Sequence, residues 1–356
     1  MNLRTFLRGN IPGKTWGVAC TLLLSFAMAV SACGGGDDDA PDINRPVSPD
    51  ITVSEASKVM DGLWDTSPML ADKDSRTTLY SSIQNWADAC PAENVFKKYL
   101  VANETTASSL ERTYPVLECY NMAFDRTLKA LKEGLPIGAK PRVWALFNMG
   151  IVVQTEVGNY AVDIYHRRGA ELAPYIDFYA ITHAYADHKW EPLTVAMSDL
   201  KKPVLTNFTI NGVNNNQYLS VTSKDYKIGK FDIHSFITHH NGSDLSKLAI
   251  TAFYIDGGGM KLFHSGDSNF IADEFETMRG KEVDFYVFHY AVNALTENNV
   301  LGKVIFPKVA VLSHILELGH KDVSESRWSL QMGLDRAARL DCETVAMPFW
   351  GDCLNK

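Results

Sequence analysis

The run Thr182-His183-Ala184-Tyr185-Ala186-Asp187-His188 follows directly on an apolar, β-prone stretch, Ile176-Asp177-Phe178-Tyr179-Ala180-Ile181. Imidazoles and carboxylates are the side chains that hold a borderline divalent cation, and a strand running out into a tight loop can turn several of them toward one point. A hydrolytic metal centre combines such ligands with one position left to water. Other β-prone stretches in the chain also end in these residue types. They are Phe236-Ile237-Thr238-His239-His240, Leu262-Phe263-His264-Ser265-Gly266-Asp267 and Pro307-Lys308-Val309-Ala310-Val311-Leu312-Ser313-His314.

His183, Asp187 and His188 after a buried strand resemble the signature His-x-His-x-Asp-His of the metallo-β-lactamase superfamily, with Tyr185 standing where the second histidine would be. The order of the later motifs is similar. Ala161-Val162-Asp163-Ile164 is placed like the early strand that ends near an aspartate, and His239-His240, Gly266-Asp267 and His314 follow as the later ligands do. The resemblance covers about residues 143 to 320 and is closest to the branch of ascorbate-6-phosphate lactonase-like hydrolases.

That resemblance implies an α/β fold, an αββα sandwich preceded by a helical segment. It also implies a first metal set of His183, Tyr185 and His240, with His239 as the competing assignment. The second set is Asp187, His188 and His314, with Asp267 bridging. Asp187 and Asp267 then carry the catalytic roles, anchoring the metal and orienting the nucleophile. The implied activity is hydrolysis of a small lactone, ester, amide or phosphoester by metal-bound hydroxide, with one or two zinc ions as cofactor. Tyr185 is the departure. A phenol ionises only near pH 10, so it ligates only where a metal lowers that value. A phenolate ligand would tilt the metal toward iron or manganese. The same departure opens a different class of function, a catalytically decayed binding lipoprotein on the same fold.

The remaining candidates have plainer readings beside the functional one. His166 and His234 sit on strand patterns as structural or exposed residues, and His289 on an apolar strand reads as a core residue. His264, near Asp267, is a candidate partner orienting a ligand. Glu317 and His320 lie beyond His314 and either line the pocket or replace it. Gly257-Gly258-Gly259 reads as a turn, since no Lys-Ser/Thr follows to make a phosphate cradle.

The elements that must position these residues are legible from periodicity. Residues 51–140 read as a helical segment, with Leu117, Tyr120, Phe124, Leu128 and Leu131 at three- and four-residue steps and a stop at Gly134 and Pro136. From Val143 onward, in the region 141–356, the period changes to short β-rich runs. Val143 to Thr155 and Tyr160 to Tyr165 are split by a hairpin signal at Gly158-Asn159. Further strands are expected over Ile176–Thr182, Val204–Ile210, Phe231–Thr238, Leu248–Asp256, Lys261–His264, Val283–Tyr290 and Lys308–Ser313.

With 46% hydrophobic and 21% charged residues, the 356-residue chain is globular, and its net charge of −8 argues against a nucleic-acid partner. Arg4, Arg8 and Lys14, then an apolar run from Gly17 to Val30, then Val30-Ser31-Ala32-Cys33, read as an export signal over residues 1–32 ending in a bacterial lipobox. Cys33 is then the lipidated residue of a cell-envelope lipoprotein, at the outer membrane and facing periplasm or surface. Residues 33–50 form an acidic tether. Removing the leader takes away three positive charges. In an oxidising compartment, Cys90, Cys119, Cys342 and Cys353 are expected to pair, and Cys90–Cys119 with Cys342–Cys353 close the shortest loops. In a bacterial host, an inhibitor of lipoprotein signal processing is expected to leave a precursor that retains residues 1–32. Normal maturation in its presence, read by mass spectrometry, would overturn the assignment of Cys33.

Overall fold

The computed structural model describes residues 54–242, 248–291, 300–321 and 327–355. The signal segment, the tether and Cys33 lie outside the described residues. No helix among the described residues is long and apolar enough to cross a membrane.

Helices come first. Ser54 caps α1 (Glu55–Trp64) by accepting a hydrogen bond from the Ser57 amide at 3.0 Å, which satisfies a backbone donor that the first turn leaves free. Then follow α2 (Thr77–Asp88), α3 (Lys97–Leu100), α4 (Glu104–Thr113) and α5 (Pro115–Glu133). Proline at the first position opens α5 and Gly134, at φ 75°, stops it, as the sequence predicts.

Two sheets follow. The first has five strands in the order β1 (Arg142–Ala145), β2 (Ile151–Thr155), β3 (Gly158–Val162), β4 (Phe178–Ala180) and β5 (Val204–Leu205). Helix α6 (Glu191–Asp199) links β4 to β5. The second sheet runs β6 (Lys224–Ile228), β7 (Phe231–His239), β8 (Ala249–Gly257), β9 (Met260–His264), β10 (Val283–His289), β11 (Pro307–Ser313) and β12 (Val345–Ala346). The last helix, α7 (Leu330–Ala337), precedes β12.

One apolar layer lies between the sheets, with Val143, Val153 and Phe178 from the first and Phe231, Ile255, Leu262, Val287 and Val311 from the second. The outer faces pack against helices in a separate, larger core. This is the αββα layering that the sequence predicts. The helical segment belongs to the outer core: Phe96 and Tyr120 meet Phe147, and the Trp64 indole donates to the Trp350 carbonyl at 3.0 Å.

The predicted strands are found, mostly trimmed at their ends. The first hairpin turns at Glu156-Val157, ahead of the Gly158-Asn159 signal, because Thr155 pairs with Gly158. Residues 143–155 are split into two strands, with Asn148 in left-handed backbone at φ 60° inside the connection. Gly258 and Gly259, both at positive φ, make the tight turn between β8 and β9, so the glycine run is a turn as expected.

The two expected disulfides are not formed, and all four cysteines are free thiols. Nearness in sequence is undone by packing. Cys353 bridges to Trp144 at the edge of the first sheet, whereas the Cys342 thiol sits against the Pro307 and Thr344 carbonyls beside the second. Cys90 lies just beyond α2 and Cys119 within α5, each buried as a separate apolar group.

An ion pair ties the helices to the chain's end. Arg76 donates to Asp352 at 2.5 Å with both side chains 1% exposed, and Asp352 also accepts the Phe349 amide at 2.8 Å. Removing one partner strands a buried charge, so Arg76→Met is expected to cost about 3–5 kcal/mol in a urea unfolding curve. A further Asp352→Leu change is expected to recover part of that loss.

Candidate metal centre

Strand direction gathers the candidate residues. β7 and β9 are both antiparallel to β8, while β9, β10 and β11 are mutually parallel, so the C-terminal ends of β7, β9, β10 and β11 share one edge of the second sheet. β3 and β4 are likewise parallel in the first. The two edges are joined where the Thr251 amide donates to the Thr182 carbonyl at 2.8 Å, and within the second sheet His240 bridges to Ser268. Asp163 follows β3, His183 to His188 follow β4, His240 follows β7, Asp267 follows β9, His289 ends β10 and His314 follows β11.

Local backbone is bent to serve this edge. Asp163 and His314 both hold left-handed conformations, at φ 50° and 64°, which non-glycine residues adopt at a cost. At Gly266, before Asp267, a Cβ would lie 2.7 Å from the Thr182 hydroxyl, so only glycine fits there.

The donor atoms converge. His188 Nε2 is 3.4 Å from Asp187 Oδ2 and 3.4 Å from Asp267 Oδ2. His314 Nε2 is 3.4 Å and 3.5 Å from the same two oxygens. Ligands at ordinary zinc distances around one tetrahedral ion stand about 3.3–3.4 Å apart, longer than a good hydrogen bond. Asp267 Oδ2 is also 3.5 Å from His240 Nε2, which places it between the two expected ligand sets. His183 joins His188 and Asp267 in a second group of close donors. The rings of His183, Tyr185 and His240 lie within 5.1–5.4 Å of one another.

Hydrogen bonding fixes which nitrogen faces the centre. Asp163 Oδ2 accepts from His188 Nδ1 at 2.9 Å and from the Thr182 hydroxyl at 2.7 Å. With its proton committed to Asp163, the Thr182 oxygen accepts from His183 Nδ1 at 3.0 Å. His240 Nδ1 donates to the Asn241 carbonyl at 2.6 Å. In all three rings Nδ1 is therefore the protonated nitrogen engaged by the protein, and Nε2 faces the centre. These Nε2 atoms, and Asp267 Oδ1, are buried without a hydrogen-bond partner. Buried polar atoms that converge unpaired are what a cation would satisfy, and this donor set fits zinc or a similar divalent ion.

Electrostatics agree. Burial opposes a charged imidazole, yet Asp267, Asp187 and Asp163 hold His188 well above its ordinary range. Burial likewise opposes the Asp187 and Asp267 carboxylates, but the facing His188 and His314 hold both well below theirs. Burial, with His188 beside it, pushes His183 down to about 3, leaving the neutral imidazole a metal requires. The field of three buried carboxylates is thus strongly favourable to positive charge.

The alternates separate clearly. His239 turns outward onto Glu274 at 2.6 Å, so His240 occupies the site. His264 is fully buried, with Nε2 on the Met149 carbonyl at 3.0 Å and Nδ1 accepting the Gly266 amide at 3.2 Å; it braces the turn before Asp267. Glu317 is 1% exposed, and burial and the Asp187 carboxylate push its pKa up, with His320 lying 3.3 Å from its Oε2 on the solvent side. His166 stacks between Tyr120 and Phe124, and His234 bonds Asp225 and Thr277, both structural as predicted.

His289, expected to be a core residue, is buried but also offers a nitrogen within 4.8 Å of donors on Asp267 and His314. Sequence reading missed two more. Asp163 was visible as an aspartate at a strand end, but its hold on two histidines was not. Asn148, whose amide donates to Asp187 Oδ2 and to its carbonyl at 3.1 Å each, carried no signal at all.

No family model matches the chain, and no curated protein matches it. Among solved structures it is similar to a metallo hydrolase from the archaeon Ignicoccus hospitalis, at 14% identity over 60% of this chain and 97% of that one, with a TM-score of 0.43. It is similar to a metallo-β-lactamase fold protein from Bacillus subtilis, at 15% identity over 60% and 99%, with a TM-score of 0.41. It is also similar to a diiron β-hydroxylase from Streptomyces venezuelae, at 13% identity over 62% of this chain and 55% of that one, with a TM-score of 0.43.

Because Asp163 orients His188 directly and His183 through Thr182, Asp163→Ala is expected to weaken zinc binding by about 10–100-fold, read by competition with a chromogenic chelator.

Proposed function

We propose that the chain is a metal-dependent hydrolase of the metallo-β-lactamase fold, held in the bacterial cell envelope through lipid on Cys33. The observation that carries the reading is the separation of 3.4–3.5 Å among His188, His314, Asp187 and Asp267 donors, buried at one edge of the sandwich. His188, His314, Asp187 and Asp267 would hold the cation, and His183, Tyr185 and His240 a second one. When bound, such a cation supplies a water nucleophile active near neutral pH and polarises the scissile carbonyl or phosphoryl oxygen.

The protein's own residues do the rest. Asp163 and Thr182 keep the histidine lone pairs turned inward, and Asp267, reaching both ligand sets, fixes their spacing. The buried walls limit competing water on the strand-end side. Tyr185, 37% exposed, is the site residue most open to solvent, so substrate enters past its ring. A lactone, ester or amide is the substrate class we favour, with a phosphoester as the wider alternative. Zinc is the metal we favour, with iron or manganese where Tyr185 ligates.

Elemental analysis of the dialysed mature protein tests this. Metal is expected to be retained by the wild type and lost in Asp187→Ala, His188→Ala and Asp267→Ala, along with hydrolysis of a lactone and ester panel. Tyr185→His is expected to raise the metal stoichiometry. A metal-free wild type whose melting temperature ignores chelators would restore the binding-module reading.

A further inference from the structure

His314 differs from the other three site histidines. Its Nε2 faces Asp187 and Asp267, but its Nδ1 is buried with no hydrogen-bond partner. The Oδ1 of Asn148 is likewise buried and unpaired. The two residues are already in contact, since the His314 amide donates to the Asn148 carbonyl at 3.2 Å. Both line a small cavity of about 20 Å³, with Leu330, Phe349 and Trp350 among its other walls. That is room for one water molecule, which needs at least two polar partners.

The orientation of the Asn148 amide is forced. Its other end meets Asp187 Oδ2 and the Asp187 carbonyl, both acceptors, so Nδ2 faces Asp187 and Oδ1 faces away. Asn148 also sits at φ 60°, a left-handed conformation that asparagine tolerates better than most residues.

From this geometry, and resting on the metal-site reading above, we infer that Asn148 is the positioning residue for two ligands at once. Its amide nitrogen holds Asp187, and its amide oxygen holds His314 through a single water bound in the cavity. The water accepts from His314 Nδ1–H and donates to Asn148 Oδ1, which leaves the Nε2 lone pair turned to the centre as in the other three rings. No signature residue performs this job, and without it His314 is the one ligand whose tautomer nothing sets.

The test uses full-length protein, metal-free, with ¹⁵N-labelled histidine, read at a pH alkaline enough for every site histidine to be neutral. The wild type is expected to show the Nδ1–H tautomer at His314, and a high-resolution crystal structure to show one water between His314 and Asn148. Asn148→Gly keeps the left-handed backbone and removes the amide. It is expected to give mixed His314 tautomers and about 10–100-fold weaker zinc binding. Asn148→Asp keeps an oxygen toward the water but sets a carboxylate against Asp187, so it is expected to preserve the tautomer while zinc affinity falls. An unchanged tautomer in Asn148→Gly, an empty cavity, or a loss of thermal stability in both variants with no tautomer change would overturn the inference. A wild type that binds no zinc would sink the metal-site reading instead, because tautomer and water are read without metal.

Discussion

Three carboxylates, Asp163, Asp187 and Asp267, share one largely buried edge of the sandwich, and charge taken out of water costs several kcal/mol per ion unless it is compensated. That constraint organises the surroundings. Imidazoles and backbone donors answer the carboxylates from two sheets, whose edges are stitched together at Thr182 and Thr251. It also explains the residues held at positive φ. Asp163, Gly266 and His314 bend the chain just past a strand end, where an ordinary extended backbone would carry the side chain away from the edge.

The arrangement is layered. Asp163 is buried deepest and touches no open donor; it passes its charge outward through Thr182 and His188. Asp187 and Asp267 lie nearer the opening and meet histidines at distances too long for strong hydrogen bonds. A compact hydrogen-bonded network would have closed those gaps. With three Nε2 atoms unpaired beside them, these spacings suit a shared cation better than a buried ion-pair cluster.

Much of this was legible in the sequence because candidate ligands placed at strand ends leave a periodic trace. Apolar β-prone runs before His183, His240, Asp267 and His314 became strands that end one to three residues ahead of them, and donors from both expected sets lie within 3.4–3.5 Å of Asp267. What escaped were relations between distant segments. Asn148 precedes the motif by more than thirty residues and acts only because its connection folds back on Asp187. The choice between His239 and His240 depended on which face of β7 points at Glu274. His289 looked like core because burial and site membership coincide at that position. The disulfide expectation failed for the same reason, since loop length in the chain says nothing about which layer receives each thiol.

Tyr185 shows how the two halves of the centre divide. It stands at 37% exposure with its ring against His183 and His240, whereas His188 is fully buried and Asp267 and His314 nearly so. The two sets are coupled through Asp267, held by the turn that His264 braces, and through Asp163, which engages His188 directly and His183 by way of Thr182. The deeper donors answer to Asp163 and Asn148, neither of which touches Tyr185 through any hydrogen bond. Tyr185 stands on the solvent side of these donors, so a change of its side chain leaves the Asp163 contact to His188 and the Asn148 contact to Asp187 in place.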